Sequence, residues 1–96
     1  MRVIGLIALK DLSAFDEYRQ QVGATIEQYG GKLLMRGKPT AMLWNELDLA
    51  EIHAFVELEF TSRERVLEWA NSPEYQSLVP IRSKAMRLTL IGFEDV

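Results

Sequence analysis

The stretch Trp69-Ala-Asn-Ser-Pro-Glu-Tyr-Gln-Ser-Leu-Val-Pro-Ile-Arg82 sets the architecture of the second half of this chain. Asn71 ends a helix that Thr61 or Ser62 caps and that runs through Trp69 and Ala70. Ser72 caps the next helix. Pro73 suits its first position, where the missing N–H costs nothing, and Glu74 faces the positive end of the helix dipole. Pro80 has no N–H for the carbonyl of Gln76 and pushes Val79 away from the helical region. The spacing therefore predicts two short helices, over about 73–78 and 80–86. Arg82 follows Leu78 and Val79 by four and three residues, so it lies on an otherwise apolar stripe.

Working outward, His53-Ala-Phe-Val-Glu-Leu-Glu-Phe60 alternates with period two and reads as a strand. Arg87–Phe93 is the last strand, followed by a solvated tail over 94–96. In the first half, Val3–Leu9 is a short apolar run that suits a strand buried on both faces. Ser13 is a helix N-cap, with Asp16 three residues on. Phe15, Tyr18, Val22, Ile26 and Tyr29 then form an apolar helical stripe. Gly30-Gly31 stops that helix. Lys32–Arg36 is a strand and Gly37-Lys38-Pro39 a turn. Thr40–Trp44 resumes extended structure, and Asn45–Asp48 connects. Strand–helix–strand occurs twice. That order is an α+β, ferredoxin-like βαββαβ plan with a four-stranded antiparallel sheet. Helices on one side leave the other side bare, and its mixed apolar and polar groups call for a partner.

The chain has 96 residues, enough for one domain over 1–96. A net charge of −3 leaves no basic footprint for nucleic acid. There is no cysteine, which removes disulfides, thiolate nucleophiles and Cys-ligated metal centres. The single histidine, His53, excludes His-pair metal motifs within one chain. We expect no cofactor and no metal. No apolar run approaches the roughly 20 residues that span a bilayer, and Met1-Arg-Val-Ile4 lacks a signal-peptide core. A cytoplasmic protein with no nucleic-acid or membrane partner is the expectation.

Several blocks resemble one family. They are Asp11–Tyr18, Tyr29-Gly-Gly-Lys-Leu-Leu-Met-Arg-Gly37, Glu59-Phe60, and Ser72-Pro-Glu-Tyr-Gln76 with Pro80-Ile-Arg82. Together they are similar to the DUF1330 domain family, over almost the whole chain. The resemblance implies the dimeric α+β barrel superfamily, in which two ferredoxin-like sheets pack face to face around an enclosed cavity. It implies no particular activity, since relatives in that superfamily include small monooxygenases, lactone isomerases and ligand-sensing regulatory domains. This chain departs from the family where Trp44-Asn45 replaces a common acidic-glycine turn after the second strand, which bears on the shape of a pocket mouth.

Strand parity sorts the groups able to carry chemistry. Ala54, Val56, Leu58 and Phe60 face the helices, whereas His53, Phe55, Glu57 and Glu59 face the other way. By the same count Lys32, Leu34 and Arg36 share a face, as do Arg87, Thr89, Ile91 and Phe93. Glu59 is the candidate catalytic residue. A carboxylate raised by desolvation serves as a general acid or base, whereas an ion pair with Arg36 or Arg82 makes it structural. Arg36 and Arg82 are candidate anion-binding residues, with Glu57, Tyr75 and Trp44 completing the candidate ligand-binding set. Tyr18, Tyr29 and Tyr75 follow apolar helical spacing and read as core with hydrogen-bonded hydroxyls. His53 reads as a rim imidazole and Trp69 as core.

Three readings follow. The first is a homodimeric barrel binding a small polar or anionic molecule in a cavity. The second is a cofactor-independent enzyme, monooxygenase-like or isomerase-like, with Glu59 as base and Arg36 or Arg82 steadying an anion. The third is a dimeric interaction or regulatory module without catalysis.

Overall fold

The apolar run near the N-terminus becomes the middle of the sheet. In the computed structural model, which describes residues 1–95, β1 (Arg2–Leu9) pairs antiparallel with both β3 (Ala54–Glu59) and β4 (Met86–Phe93). β2 (Lys32–Gly37) pairs antiparallel with β3, giving the order β2-β3-β1-β4. This is the ferredoxin-like arrangement, a four-stranded antiparallel sheet with all helices on one side. Val96, the end of the expected tail, lies outside the described residues. Among the described residues no helix is long and apolar enough to cross a membrane.

α1 (Leu12–Gln28) lies over the sheet because Ala14, Tyr18, Thr25 and Ile26 form its buried stripe. Its N-cap is Asp11, whose carboxylate accepts the Ala14 N–H at 3.0 Å, so the cap lies two residues before the expected Ser13. Asp outbids Ser here because its extended backbone and carboxylate already serve the first free N–H. At the other end Gly30 takes φ 79°, a left-handed turn that glycine adopts without strain. Gly31 serves a different purpose. A Cβ there would lie 2.6 Å from the Phe60 ring, so its missing side chain lets the chain pass over the core.

The second half matches the punctuation of residues 69–82. α2 (Arg63–Ala70) is capped by Ser62 and ends at Asn71. α3 (Pro73–Gln76) is capped by Ser72 with proline in its first turn. α4 runs Val79–Ala85, so Val79 is helical rather than extended. Pro80 falls in the first turn, where no intrahelical N–H is required, and Leu78 and Val79 accept the helical geometry. The core gathers Val3, Ile7, Leu58 and Phe60 from the sheet with Tyr18, Ile26, Trp69 and Tyr75 from the helices. The buried Trp69 indole donates to Thr25 Oγ1 at 3.0 Å, and packs 4.5 Å from the Tyr75 ring.

Two expectations fail in the β2–β3 connection. Residues 40–44 form no strand, and the whole span 38–53 lacks regular structure. β2 is an edge strand, and the chain beyond Pro39 has left its only neighbour. The second failure is one of parity. Lys32 pairs with Glu59 and Leu33 with Leu58, but the register shifts and Met35 then faces Glu57, with Arg36 opposite Val56. This bulge inserts one residue and reverses the alternation after it. Lys32 and Met35 therefore lie on the bare face, while Arg36 lies on the helix side.

Candidate functional site

The sheet and α1 do not close completely against each other near the β2 edge. Between them is a cleft of about 610 Å³. Phe15, Val22, Ile26, Leu33, Val56 and Leu88 give it an apolar wall. Arg19 from α1, Arg36 from β2, Lys38 and His53 are also on its lining. Gly37 and Lys38 on one side and His53 on the other are the two stems of the long connection, so residues 39–52 spring from the edge of this cleft. The arrangement suits a ligand with an apolar body and an anionic group.

The bulge is what brings Arg36 here. Without it, parity would have placed the guanidinium on the bare face with Lys32. Among the described residues Arg36 and Lys38 make no ion pair, whereas Arg19 is 3.8 Å from Asp16 and lies 5.5 Å over the Phe15 ring. His53 is anchored by its backbone N–H to the Ile7 carbonyl, and its Nδ1 accepts the Leu9 N–H at 2.9 Å. That bond fixes the proton of a neutral ring on Nε2.

The glutamates are elsewhere. Glu57 and Glu59 face away from the helices, as parity predicts, but neither meets Arg36 or Arg82. Arg2 reaches Glu57 at 2.7 Å and Glu59 at 3.3 Å, and Lys32 lies 3.4 Å from Glu59. Arg2 pairs in register with Glu59 across β1 and β3, so this cluster is built by the sheet itself. The Lys32 ammonium, with Arg2, holds the exposed Glu59 carboxyl below the usual carboxylate range. The condition attached to Glu59 as an acid or base, a carboxyl raised by desolvation, is therefore not met.

Arg82 also finds a partner other than the expected one. Its Nη1 donates to the Tyr75 hydroxyl at 3.0 Å, and its guanidinium lies 5.7 Å over that ring. Tyr75 is in the core at 3% exposure, and its hydroxyl is 2.9 Å from that of Tyr18. Tyr18 lines the cleft. Burial above all, with Tyr75 beside it, pushes the Tyr18 phenol well above the ordinary tyrosine range. Trp44 is 80% exposed in the long connection, away from the cleft lining. Its neighbour Asn45 is occupied locally, donating to the Leu49 carbonyl and accepting the Leu49 N–H.

Of the expected ligand-binding residues, then, Arg36 lines the cleft, while Tyr75 and Arg82 approach it through Tyr18. Glu57 and Glu59 lie across the sheet, and Trp44 is on the surface. Sequence reasoning missed Tyr18, Arg19 and Lys38. The signal for Tyr18 was present in its place on the Phe15–Val22 stripe, where a hydroxyl among apolar groups needs a partner.

Fold and cleft together define a small ferredoxin-like protein with an apolar, cation-rimmed opening between its first helix and its sheet. The family model described as domain of unknown function (DUF1330) matches residues 3–96, and the chain belongs to that family. Similar solved structures include a protein of unknown function from Rhodopseudomonas palustris, RPA0582 (TM-score 0.77, 21% identity, covering 99% of this chain and 82% of that one). At3g17210 from Arabidopsis thaliana has a TM-score of 0.75 at 14% identity, covering 99% of this chain and 94% of that one. A dimeric protein of unknown function with a ferredoxin-like fold, from Bacteroides fragilis, has a TM-score of 0.60 at 15% identity and covers 98% and 94% of the two chains. No protein of curated function matches the sequence.

Proposed function

We propose that this protein binds a small molecule with an apolar body and an anionic group in the cleft between α1 and the sheet. The observation that carries the proposal is Arg36, which the β2 bulge turns onto the cleft, where it has no ion-pair partner among the described residues. An unpaired guanidinium beside an apolar wall favours a carboxylate or similar anion, which it can hold by two parallel hydrogen bonds. The cleft volume of about 610 Å³ suits such a ligand. The protein works as a homodimer in this reading, with the bare sheet face covered by a second copy. The exposed Ile91 and Phe93 on that face support it, as does the dimeric description of the Bacteroides fragilis neighbour.

A panel of aromatic carboxylates and their uncharged amides, screened by thermal shift and followed by calorimetry, tests the proposal. The carboxylates should bind more tightly than the amides, and Arg36→Ala should weaken the best carboxylate by about tenfold, one charge-assisted hydrogen-bonded contact. Equal binding of acids and amides, or an unchanged affinity in the variant, would sink the anion assignment. Absence of any binding across the panel would remove the cleft as a ligand site.

A further inference from the structure

The three side chains Arg82, Tyr75 and Tyr18 form a chain of hydrogen bonds whose direction can be worked out. A guanidinium has donors only, so in the 3.0 Å contact Arg82 donates and the Tyr75 oxygen accepts. Tyr75 is buried among Trp69, Tyr18 and Arg82, with ring centroids 4.5 Å from Trp69 and 6.5 Å from Tyr18. Its hydroxyl proton needs an acceptor, and the Tyr18 oxygen is 2.9 Å away. The opposite assignment would direct two donors at the Tyr75 oxygen and strand its own proton in the core, which costs the desolvation of an unpaired donor. With Tyr75 donating to Tyr18, the surplus proton is that of Tyr18, and Tyr18 is the member of the three that lines the cleft.

We infer that Tyr18 presents its hydroxyl as a hydrogen-bond donor to a neutral acceptor, of the ketone or other carbonyl class, on the molecule bound in the cleft, and that Tyr75 and Arg82 are positioning residues that fix its direction. The inference rests on the cleft-binding reading above and adds a second recognition element to it. The ligand class becomes two-ended, an anion for Arg36 and a carbonyl oxygen for Tyr18, joined by an apolar body. Arg82 polarises the chain from its far end, so each successive O–H becomes a better donor. Burial keeps Tyr18 protonated through the neutral range, as a donor must be. The chain spans three elements, with Tyr18 on α1, Tyr75 on α3 and Arg82 on α4, which ties the donor's position to the packing of the helical layer.

Two compounds of matched shape test this, 6-acetyl-2-naphthoate and 6-ethyl-2-naphthoate, which differ by a ketone oxygen. Calorimetry on the wild type should show the acetyl compound favoured by about tenfold, the worth of one net hydrogen bond in a desolvated site. Tyr18→Phe should abolish the preference, with a cooperative thermal melt reporting that the variant is folded. Arg82→Met should reduce the preference and Arg82→Lys, which keeps a cationic donor, should retain part of it. The acetyl-to-ethyl ratio is the decisive readout because loosened packing would weaken both compounds together. A wild type that treats them alike, or a Tyr18→Phe variant that still prefers the acetyl compound, overturns the assignment of Tyr18 and leaves the cleft reading intact. Failure of both compounds to bind overturns the two together.

Discussion

Glu59 carries the clearest lesson at the scale of single residues. Alternation along β3 correctly put it on the face away from the helices, but alternation says nothing about which cation reaches it. Arg2 is 57 residues away in the sequence, yet β1–β3 register places it opposite Glu59. The lowered pKa gives a signed expectation. A carboxylate whose folded pKa is depressed adds stability above its unfolded pKa and loses it as the pH falls through the folded value. Glu59→Gln should therefore flatten the stability–pH profile below about pH 5, with only a small change at neutral pH because the pair is exposed. Urea midpoints of wild type and variant across pH 3–7 measure this, and parallel profiles would contradict it. Arg82, expected to meet an anion or Glu59, sits on an apolar stripe where its guanidinium must still find a polar partner. That the partner is a phenol, reached from another helix, was beyond any local pattern.

Elements were readable where a local signal fixes them. The Ser62 and Ser72 caps, the Asn71 stop and the Gly30 turn are all set within a few residues, by a capping side chain or, at Gly30, by the freedom its missing Cβ allows. The start of α1 was misplaced because two capping residues compete, Asp11 and Ser13, and both satisfy the sequence rule. The difference is measurable. Asp11→Ala should cost about 0.5–2 kcal/mol of stability, the usual worth of an N-cap, whereas Ser13→Ala should be near neutral. Equal effects in chemical denaturation would return the cap to Ser13. The β2 bulge was invisible for another reason. Nothing in Lys32–Arg36 departs from ordinary strand composition, and the inserted residue shows only in the pairing with β3. One such residue decided which face received Arg36, so the error in the strand's register became an error in the site. The absent strand at 40–44 has a related cause, since apolar residues alone do not supply a neighbour to pair with.

At the scale of the whole molecule, the two-layer plan was recoverable because the order of elements and the helix–strand periodicities agree. Its open sheet face leads to a third expectation. Ile4 pairs with Ile91 there, next to Leu6 and Phe93 and flanked by Arg2, Glu57 and Glu59, so sedimentation at micromolar concentration should give a dimer. Lys or Glu at Ile91 should shift it toward monomer with the cleft's ligand affinity less affected than by Arg36→Ala. A monomer in the unmodified protein would contradict the homodimer. The position of β1 has a consequence for how the chain is made. This strand precedes both neighbours in synthesis, and Arg2 faces Phe93 across the β1–β4 pair. One edge of β1 can pair once β3 is made, but its other edge stays open until β4 follows. Folding is deferred to the last strand, and nascent chains interrupted before Met86 should be aggregation-prone or chaperone-bound. Truncation at Ala85 should give an insoluble product by fractionation after expression. For this topology, the interval between completing β3 and completing β4 sets how long that edge of the first strand stays exposed.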